Sequence, residues 1–214
     1  MSVPRFRLIS EVEARQLEPD STVELEEGGL VTPLARETLV ARRVTVVPVG
    51  SLDPALPTDL VPVADVRRVA IGSDHTGVPL KAALVSHLRR QGRTVTDHGT
   101  NGAEPVDYPD IAARVARAVA RGEADGGIVI DGAGLGSAIA ANKIRGVRAA
   151  MCLTPTLARY SREHNGANVL TLGSTLLETA EAVAIVETWL STSMHEARYA
   201  RRLLKIRRLE DGRS

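Results

Sequence analysis

The sequence predicts an α/β protein: a parallel sheet of about five strands between two helical layers, a Rossmann-like α/β/α architecture, with a small N-terminal extension. From Val69 onward, short apolar runs alternate with helical patterns, which is typical of right-handed βαβ crossovers. Aromatic residues make up only 2% of the chain, so the core must consist mainly of Val, Leu, Ile and Ala. Such a core suits buried parallel strands covered by Ala-rich helices.

The elements of this sheet domain follow one another in a regular order. Apolar runs predict strands at residues 69–71, 94–98, 127–130, 147–153 and 169–172. Helical periodicity predicts helices at residues 78–90, 111–120, 137–143, 155–163, 178–190 and 195–209. Pro79 stands in the first turn of the first helix, where its missing N–H costs little.

Residues 1–66 do not follow this rhythm, so they are predicted to form an N-terminal extension with a Pro-rich linker, and residues 67–214 form the main domain. Ser10 and Glu13 match a capping box that predicts a short helix through residue 17. Thr32 and the proline after it predict a second helix to residue 43. Residues 26–29 (EEGG) predict a turn, and residues 44–49 a strand.

Composition and charge argue against a nucleic-acid-binding, membrane-spanning or disulfide-bonded protein. The chain has 27 Lys and Arg against 26 Asp and Glu, a net charge of +1, so bulk charge gives no reason to expect a nucleic-acid partner. No apolar run approaches a membrane span, and the N-terminus lacks the apolar stretch of a signal peptide. Cys152 is the single cysteine, which excludes a disulfide within one chain. We therefore expect a soluble cytoplasmic protein without membrane contact.

Parallel sheets bind ligands beyond the carboxyl ends of their strands, and the first polar segment at such a place is residues 72–77 (GSDHTG). Asp74 and His75 directly follow a strand and open a helix, whose N-terminal N–H groups favour an anion. The alternative is that Asp74 merely caps the helix and His75 is a surface residue.

A second segment, residues 131–137 (DGAGLGS), also joins a strand to a helix. Gly132, Gly134 and Gly136 let the backbone approach a ligand closely, and Ser137 follows them. A dinucleotide site is the alternative, but it is disfavoured. The spacing is G-x-G-x-G rather than G-x-G-x-x-G, the loop follows the third strand, and no ribose-binding acid follows.

Three further segments are ambiguous on their own. Tyr108 lies in a turn before a helix, and His164 and Asn165 lie in a turn before a strand, where ordinary turn chemistry is the alternative. Arginines crowd residues 198–208, which as a charge run is typical of a solvated surface. No Cys/His cluster has metal-ligand spacing, so no metal site is expected.

Taken together, five ordered motifs resemble the ribose-5-phosphate isomerase B / galactose-6-phosphate isomerase family, over about residues 69–206. The motifs are GSDHTG at 72–77, VDYPD at 106–110, GLGSAIAANK at 134–143, GVRAA at 146–150 and SREHNGANVLTLG at 161–173. The resemblance implies a homodimer, sometimes paired into a tetramer, with active sites between subunits and with neither a metal nor an organic cofactor.

The resemblance also implies roles for particular residues. The sugar phosphate would be bound by Asp74, His75 and the loop residues Gly132, Gly134, Gly136 and Ser137. Ring opening would be assisted by His164, and the sugar would be contacted by Tyr108 and Asn165. The phosphate would be bound by Arg198 and Arg202. The two arginines are four residues apart on one helical face, so both can reach one phosphate.

The chain departs from the family pattern at the base. Many members carry a cysteine at the position of Asp131, and this cysteine moves the proton between C1 and C2; others place a glutamate where this chain has Ser137. Ala133 replaces a threonine, and Tyr199 replaces a histidine. We predict that Asp131 is the base and that the loop N–H groups of residues 132–137 hold the enediolate. The alternative is a sugar-phosphate-binding protein with altered or lost catalysis, acting as a sensor or scaffold.

The extension carries a resemblance of its own. Residues 30–36 (LVTPLAR) are similar to short segments of proteins associated with bacterial microcompartments. This resemblance implies that the extension docks the protein to a shell or a cargo partner. The alternative is an appendage that packs on its own subunit or on its dimer mate.

Overall fold

The computed structural model describes residues 3–49, 60–63, 65–194 and 197–212. The chain divides into two compact units. The first comprises Met1–Thr58 and His195–Leu204, and the second comprises Asp59–Met194 and Lys205–Ser214.

The second unit is built on a five-stranded sheet of order β5-β4-β6-β8-β7 in which all pairs are parallel. Its strands are β4 (Arg68–Ser73), β5 (Thr94–Asp97), β6 (Gly126–Asp131), β7 (Ala149–Met151) and β8 (Val169–Gly173). Its helices are α3 (Val78–Arg90), α4 (Tyr108–Ala120), α5 (Leu135–Ala141), α6 (Pro155–Glu163) and α7 (Thr179–Ser191), while α8 (Ala197–Glu210) is shared with the first unit. The predicted fold class is confirmed.

Two apolar clusters cover the two faces of this sheet, as alternation along the central strand requires. In β6, Ile128 and Ile130 belong to one cluster, which includes Trp189 of α7. Val129, between them, belongs to the other cluster together with Val115 of α4. Each of these side chains is fully buried, and burial of one such aliphatic side chain is worth roughly 1.5–3 kcal/mol.

Two helices begin earlier than the periodicity predicted. Helix α4 begins at Tyr108 rather than at residue 111, because Pro109 fits the first turn of a helix. Helix α5 begins at Leu135 rather than at residue 137, behind Gly134 in the left-handed conformation. Strands β4 and β6 extend to Ser73 and Asp131.

At the amino-terminal edge of the sheet, Asp125 joins β4 to the segment before β6. Its carboxylate accepts the backbone N–H groups of Arg67 at 3.0 Å and Arg68 at 2.8 Å, and also the Arg68 guanidinium at 2.6 Å. Burial alone raises the pKa of Asp125, but the hydrogen bonds from Arg68 and Arg67 outweigh it and hold the pKa below its ordinary value.

We predict that Asp125→Asn lowers the melting temperature at neutral pH and that the difference from wild type shrinks in acid. A carboxyl whose pKa is depressed on folding stabilises the folded state above its unfolded pKa, and this contribution is lost as pH falls through the folded pKa. Thermal melts of both proteins from neutral pH to about pH 2 measure the effect. A melting-temperature difference that stays constant over this range contradicts the prediction.

The first unit contains a small parallel sheet of order β1-β2-β3. Its elements are β1 (Arg5–Ile9), α1 (Glu11–Gln16), β2 (Thr22–Val31), α2 (Pro33–Ala41) and β3 (Thr45–Pro48). Both predicted helix starts are confirmed. The Ser10–Glu13 capping box is complete, and Thr32 Oγ1 accepts the N–H of Ala35 at 3.3 Å. Ile9, Val23 and Leu39 belong to its apolar core.

The predicted turn at residues 26–29 is wrong, because these residues lie inside β2. Strand β1, which the sequence analysis did not predict, pairs on both sides of them: Phe6 faces Leu25, and Leu8 faces Leu30. The EEGG segment therefore forms an irregularity in a continuing strand, with Gly28 at a φ of 72°, and it does not reverse the chain.

Within the described residues, no helix combines the length and the apolar character needed to cross a bilayer.

Candidate active site

The candidate site is built at the carboxyl ends of β4 and β6, which are neighbours in the sheet. Ser73 pairs with Ile130 in register, and the N–H of Asp74 donates to the carbonyl of Ile130 at 3.0 Å. The two acidic residues that the sequence placed after these strands, Asp74 and Asp131, therefore lie at adjacent strand ends.

Asp74 caps the turn that leads into α3. Its Oδ1 accepts the N–H of Thr76 at 2.9 Å, the hydroxyl of Thr76 at 2.6 Å and the N–H of Gly77 at 3.2 Å. The side chain is buried. The alternative interpretation, that Asp74 caps the helix, is thus correct for one of its carboxylate oxygens, Oδ1.

His75 is half-buried next to this cap and is tied to the segment before α4. Its Nδ1 accepts the N–H of Val106 at 3.4 Å. A neutral imidazole that accepts at Nδ1 carries its proton on Nε2. His75 can therefore offer a hydrogen-bond donor to a ligand.

Asp131 faces its own glycine loop. Its Oδ1 accepts the N–H groups of Ala133 at 2.8 Å and of Gly134, and its Oδ2 accepts the N–H of Ser137 at 2.9 Å. Only 4% of the residue is exposed. A carboxylate is an excellent acceptor for such converging backbone donors.

This geometry corrects one prediction about the loop. The N–H groups of residues 132–137 were expected to hold an enediolate, but the Asp131 carboxylate already accepts three of them, those of Ala133, Gly134 and Ser137. The sequence could not reveal this, because a cysteine and an aspartate at this position leave the same glycine spacing. The Asp131 carboxyl therefore itself occupies the part of the loop that these three N–H groups form.

Two glycines of the loop, Gly134 and Gly136, are required by close contacts. Gly134 has a φ of 77°, and an ideal Cβ there would lie 2.9 Å from the carbonyl carbon of Leu172. A Cβ on Gly136 would lie 2.5–2.8 Å from atoms of the Tyr108 ring. The Tyr108 ring therefore packs directly on the loop, beside the Asp131 segment.

The carboxyl edge thus gathers most of the predicted site. The residues brought together there are Asp74, His75, Tyr108, Asp131, Gly132, Gly134, Gly136 and Ser137. The hydroxyl of Ser137 is buried and has no hydrogen-bond partner among the described residues. Such a group is suited to a ligand or a water molecule.

His164 and Asn165 lie at the opposite edge of the sheet. Helix α6 connects the parallel strands β7 and β8, so it runs antiparallel to them and ends at their amino-terminal edge. Consistently, Arg148, which precedes β7, donates to the carbonyl of Gly166 at 2.8 Å. The five residues of β8 separate the two edges by about 13 Å. One copy of the chain does not bring His164 to Asp131.

The ring of His164 has its own surroundings at that edge. It stacks on the ring of Tyr160 with a centroid distance of 4.7 Å, and its Nε2 lies 3.9 Å from a carboxylate oxygen of Glu163. About a third of the side chain is exposed.

Arg198 and Arg202 both fall in α8, in the part that belongs to the first unit. The side chain of Arg198 lies outside the described part of the structure. The guanidinium of Arg202 is exposed and lies 5.7 Å from the centroid of the Tyr199 ring.

Sequence reasoning missed a group of hydroxyl side chains around the loop. Thr76 Oγ1 lies 3.2 Å from Ser174 Oγ, and Thr175 Oγ1 donates to the carbonyl of Gly132 at 2.6 Å. The available signal was the Ser174–Thr175 pair directly after a buried strand, which is the same signal that identified Asp74. In the described ranges, no three His, Cys, Asp or Glu side chains converge in a way that could hold a metal ion.

Comparison with known proteins identifies the family. The family model described as Ribose/Galactose Isomerase matches residues 69–206. Ribose-5-phosphate isomerase B of Escherichia coli (strain K12) is 44% identical over 148 residues, which cover 69% of this chain and 99% of that protein.

Solved structures agree over the same share of the chain. Ribose-5-phosphate isomerase B of Clostridium thermocellum is 48% identical with a TM-score of 0.67, covering 68% of this chain and 98% of the other. The Mycoplasma genitalium enzyme with bound ribulose-5-phosphate is 39% identical with a TM-score of 0.65, covering 67% and 96%.

The family match leaves residues 1–68 outside it, and the resemblance of residues 30–36 to microcompartment-associated proteins gains no support from these comparisons. Over the rest of the chain, the fold, the order of the motifs and the level of identity agree. The chain belongs to the ribose/galactose isomerase family.

Proposed function

We propose that this protein interconverts an aldose and a ketose of a small phosphorylated sugar through an enediolate, with Asp131 as the base. The observation that carries the proposal is the buried Asp131 carboxylate at the end of β6, beside Asp74, His75 and Tyr108. The E. coli relative is named ribose-5-phosphate isomerase B and the M. genitalium structure holds ribulose-5-phosphate, so pentose phosphates are the first substrates to test among four- to six-carbon sugars.

The base must take a proton from the carbon next to the carbonyl and return it to the neighbouring carbon. A carboxylate is chemically competent for this, as the glutamate of triosephosphate isomerase illustrates. Its two oxygens offer about four lone-pair positions, and the loop uses three of them. We assign the remaining lone pair, on Oδ2, to the proton that is taken from the substrate.

Because three of the loop N–H groups donate to Asp131, fewer remain for the enediolate oxygens, and a further donor is assigned to them. His75 is assigned this role, since a neutral imidazole that accepts from Val106 at Nδ1 donates from Nε2. Tyr108 is assigned to the sugar hydroxyls. Arg198 and Arg202 are assigned to the phosphate, because arginine's planar fork binds phosphate oxygens in pairs.

The site is assigned to a homodimer in which each copy supplies one edge. Asp131 stands at the carboxyl edge and His164 and Asn165 at the amino edge, about 13 Å apart along β8. In a two-fold dimer the same surface is used on both copies. The His164 edge of one copy then completes the Asp131 edge of the other, and this pairing occurs twice.

A second function is favoured by one observation. Three backbone N–H groups of the loop already donate to the Asp131 carboxylate, so these three are not available to a ligand oxygen. A chain whose loop donors are used in this way by its own aspartate could bind a sugar phosphate without turning it over, as a sensor or scaffold subunit.

The deciding experiment is a coupled isomerase assay with a panel of four-, five- and six-carbon aldose and ketose phosphates. We expect turnover of at least one substrate by the wild-type protein, and turnover lowered by about 10²- to 10⁴-fold in Asp131→Asn. If the wild type only binds a sugar phosphate, and Asp131→Cys turns it over, the binding function is correct and the proposed isomerase function fails.

A further inference from the structure

Thr171 is a buried hydroxyl inside the apolar strand β8. Its neighbours Leu170 and Leu172 are part of the main core, and Thr171 is itself 0% exposed. Most buried hydroxyls have a hydrogen-bond partner, and Thr171 Oγ1 donates to the carbonyl of Gly134 at 2.7 Å. A residue of one strand therefore holds the loop that follows the adjacent strand.

The bond from Thr171 fixes Gly134 on the side opposite Asp131. The N–H of Gly134 donates to the Asp131 carboxylate, and its carbonyl accepts from Thr171 and, at 3.2 Å, from the N–H of Ala138. Both lone pairs of that carbonyl are thus used. Rotation of the peptide units flanking Gly134 would break bonds on both sides.

Two neighbouring residues hold the same loop nearer the surface. Ser174 donates to the carbonyl of Asp131 through its N–H at 2.8 Å and its hydroxyl at 3.1 Å. Thr175 donates to the carbonyl of Gly132 through its N–H at 3.0 Å and its hydroxyl at 2.6 Å. Thr171 differs from both because it is fully buried, so water cannot replace its hydroxyl.

We propose that Thr171 is a positioning residue for the candidate site: its hydroxyl orients Gly134, whose N–H in turn orients the Asp131 carboxylate. The inference rests on the proposed isomerase function for its effect on turnover. Catalytic groups must be held close to their productive geometry, and small displacements by residues away from the chemistry are costly.

The test uses Thr171→Val, which keeps the shape and removes the hydroxyl, and Thr171→Ser, which keeps the hydroxyl. In the full-length protein we expect Thr171→Val to lower kcat about ten- to a hundredfold with little change in KM, and Thr171→Ser to restore most of kcat. Thr188→Val is the control for the same chemical change away from the site, since Thr188 Oγ1 donates to the carbonyl of Ala184 at 2.8 Å in α7, where the bond is exposed. It should leave kcat unchanged.

Amide hydrogen exchange supplies a readout that does not need turnover. Exchange at Gly134 and Ser137 should accelerate in Thr171→Val but not in Thr171→Ser or Thr188→Val. Wild-type exchange in Thr171→Val, or a loss of kcat that serine does not rescue, overturns the inference. If the wild type turns over no sugar phosphate, the proposed function fails, while the exchange rates still decide whether Thr171 holds the loop.

Discussion

Asp131→Asn should lower turnover by about 10²- to 10⁴-fold, the usual contribution of a general base, while sugar-phosphate binding survives. The amide cannot take the substrate proton at neutral pH. Its carbonyl can still accept the N–H groups of Ala133 and Gly134, so the loop keeps most of its shape. Steady-state kinetics combined with a binding titration measure the two effects separately.

This substitution also has a structural cost that needs a control. The amide nitrogen would face the N–H of Ser137, which now donates to Oδ2, and an unpaired buried N–H costs about 1–3 kcal/mol. Asp125→Asn is the matched variant, because Asp125 also accepts backbone N–H groups but lies at the opposite edge. It should lose stability and keep its turnover. Wild-type turnover in Asp131→Asn would remove Asp131 as the base.

Mixing two inactive variants, Asp131→Asn and His164→Asn, should regenerate activity. After random exchange, half of the dimers are mixed, and each mixed dimer holds one site with both edges intact. About one quarter of the sites, and of the wild-type activity, should therefore return. The assay requires unfolding and refolding the two proteins together, or co-expressing them with different tags.

The outcome separates shared sites from sites within one copy. If His164 acted on the Asp131 of its own chain, a mixed dimer would contain no intact site and no activity would return. Mass spectrometry of the refolded mixture confirms that subunits have exchanged, so an inactive mixture with mixed dimers present contradicts the shared arrangement. Repeating the experiment with Arg202→Ala in place of His164→Asn tests the phosphate-binding arginines in the same way.

The sequence was most informative where a local signal decides the structure. Strand ends followed by polar residues identified Asp74 and Asp131, and caps identified the starts of α1 and α2. These features depend on residues within one turn of each other, so the chain order alone contains them.

The rest depends on contacts between distant residues. Nothing near Asp131 in sequence shows that its carboxylate turns back into the loop, and Thr171 is separated from Gly134 by two helices and a strand. The EEGG segment was wrongly predicted to be a turn, because the strand that pairs on both sides of it, β1, lies about twenty residues earlier in the chain. Ordinary propensity cannot anticipate such partners.

The placement of the two edges has a consequence for the protein in dilute solution. In the shared arrangement, a lone copy carries two half-sites that point in opposite directions, each lacking what the other has. Specific activity then follows mass action between subunits: it falls on dilution below the dimer dissociation constant, while each copy stays folded around its own sheet. Dilution therefore removes the activity by separating the subunits, before the chain itself unfolds.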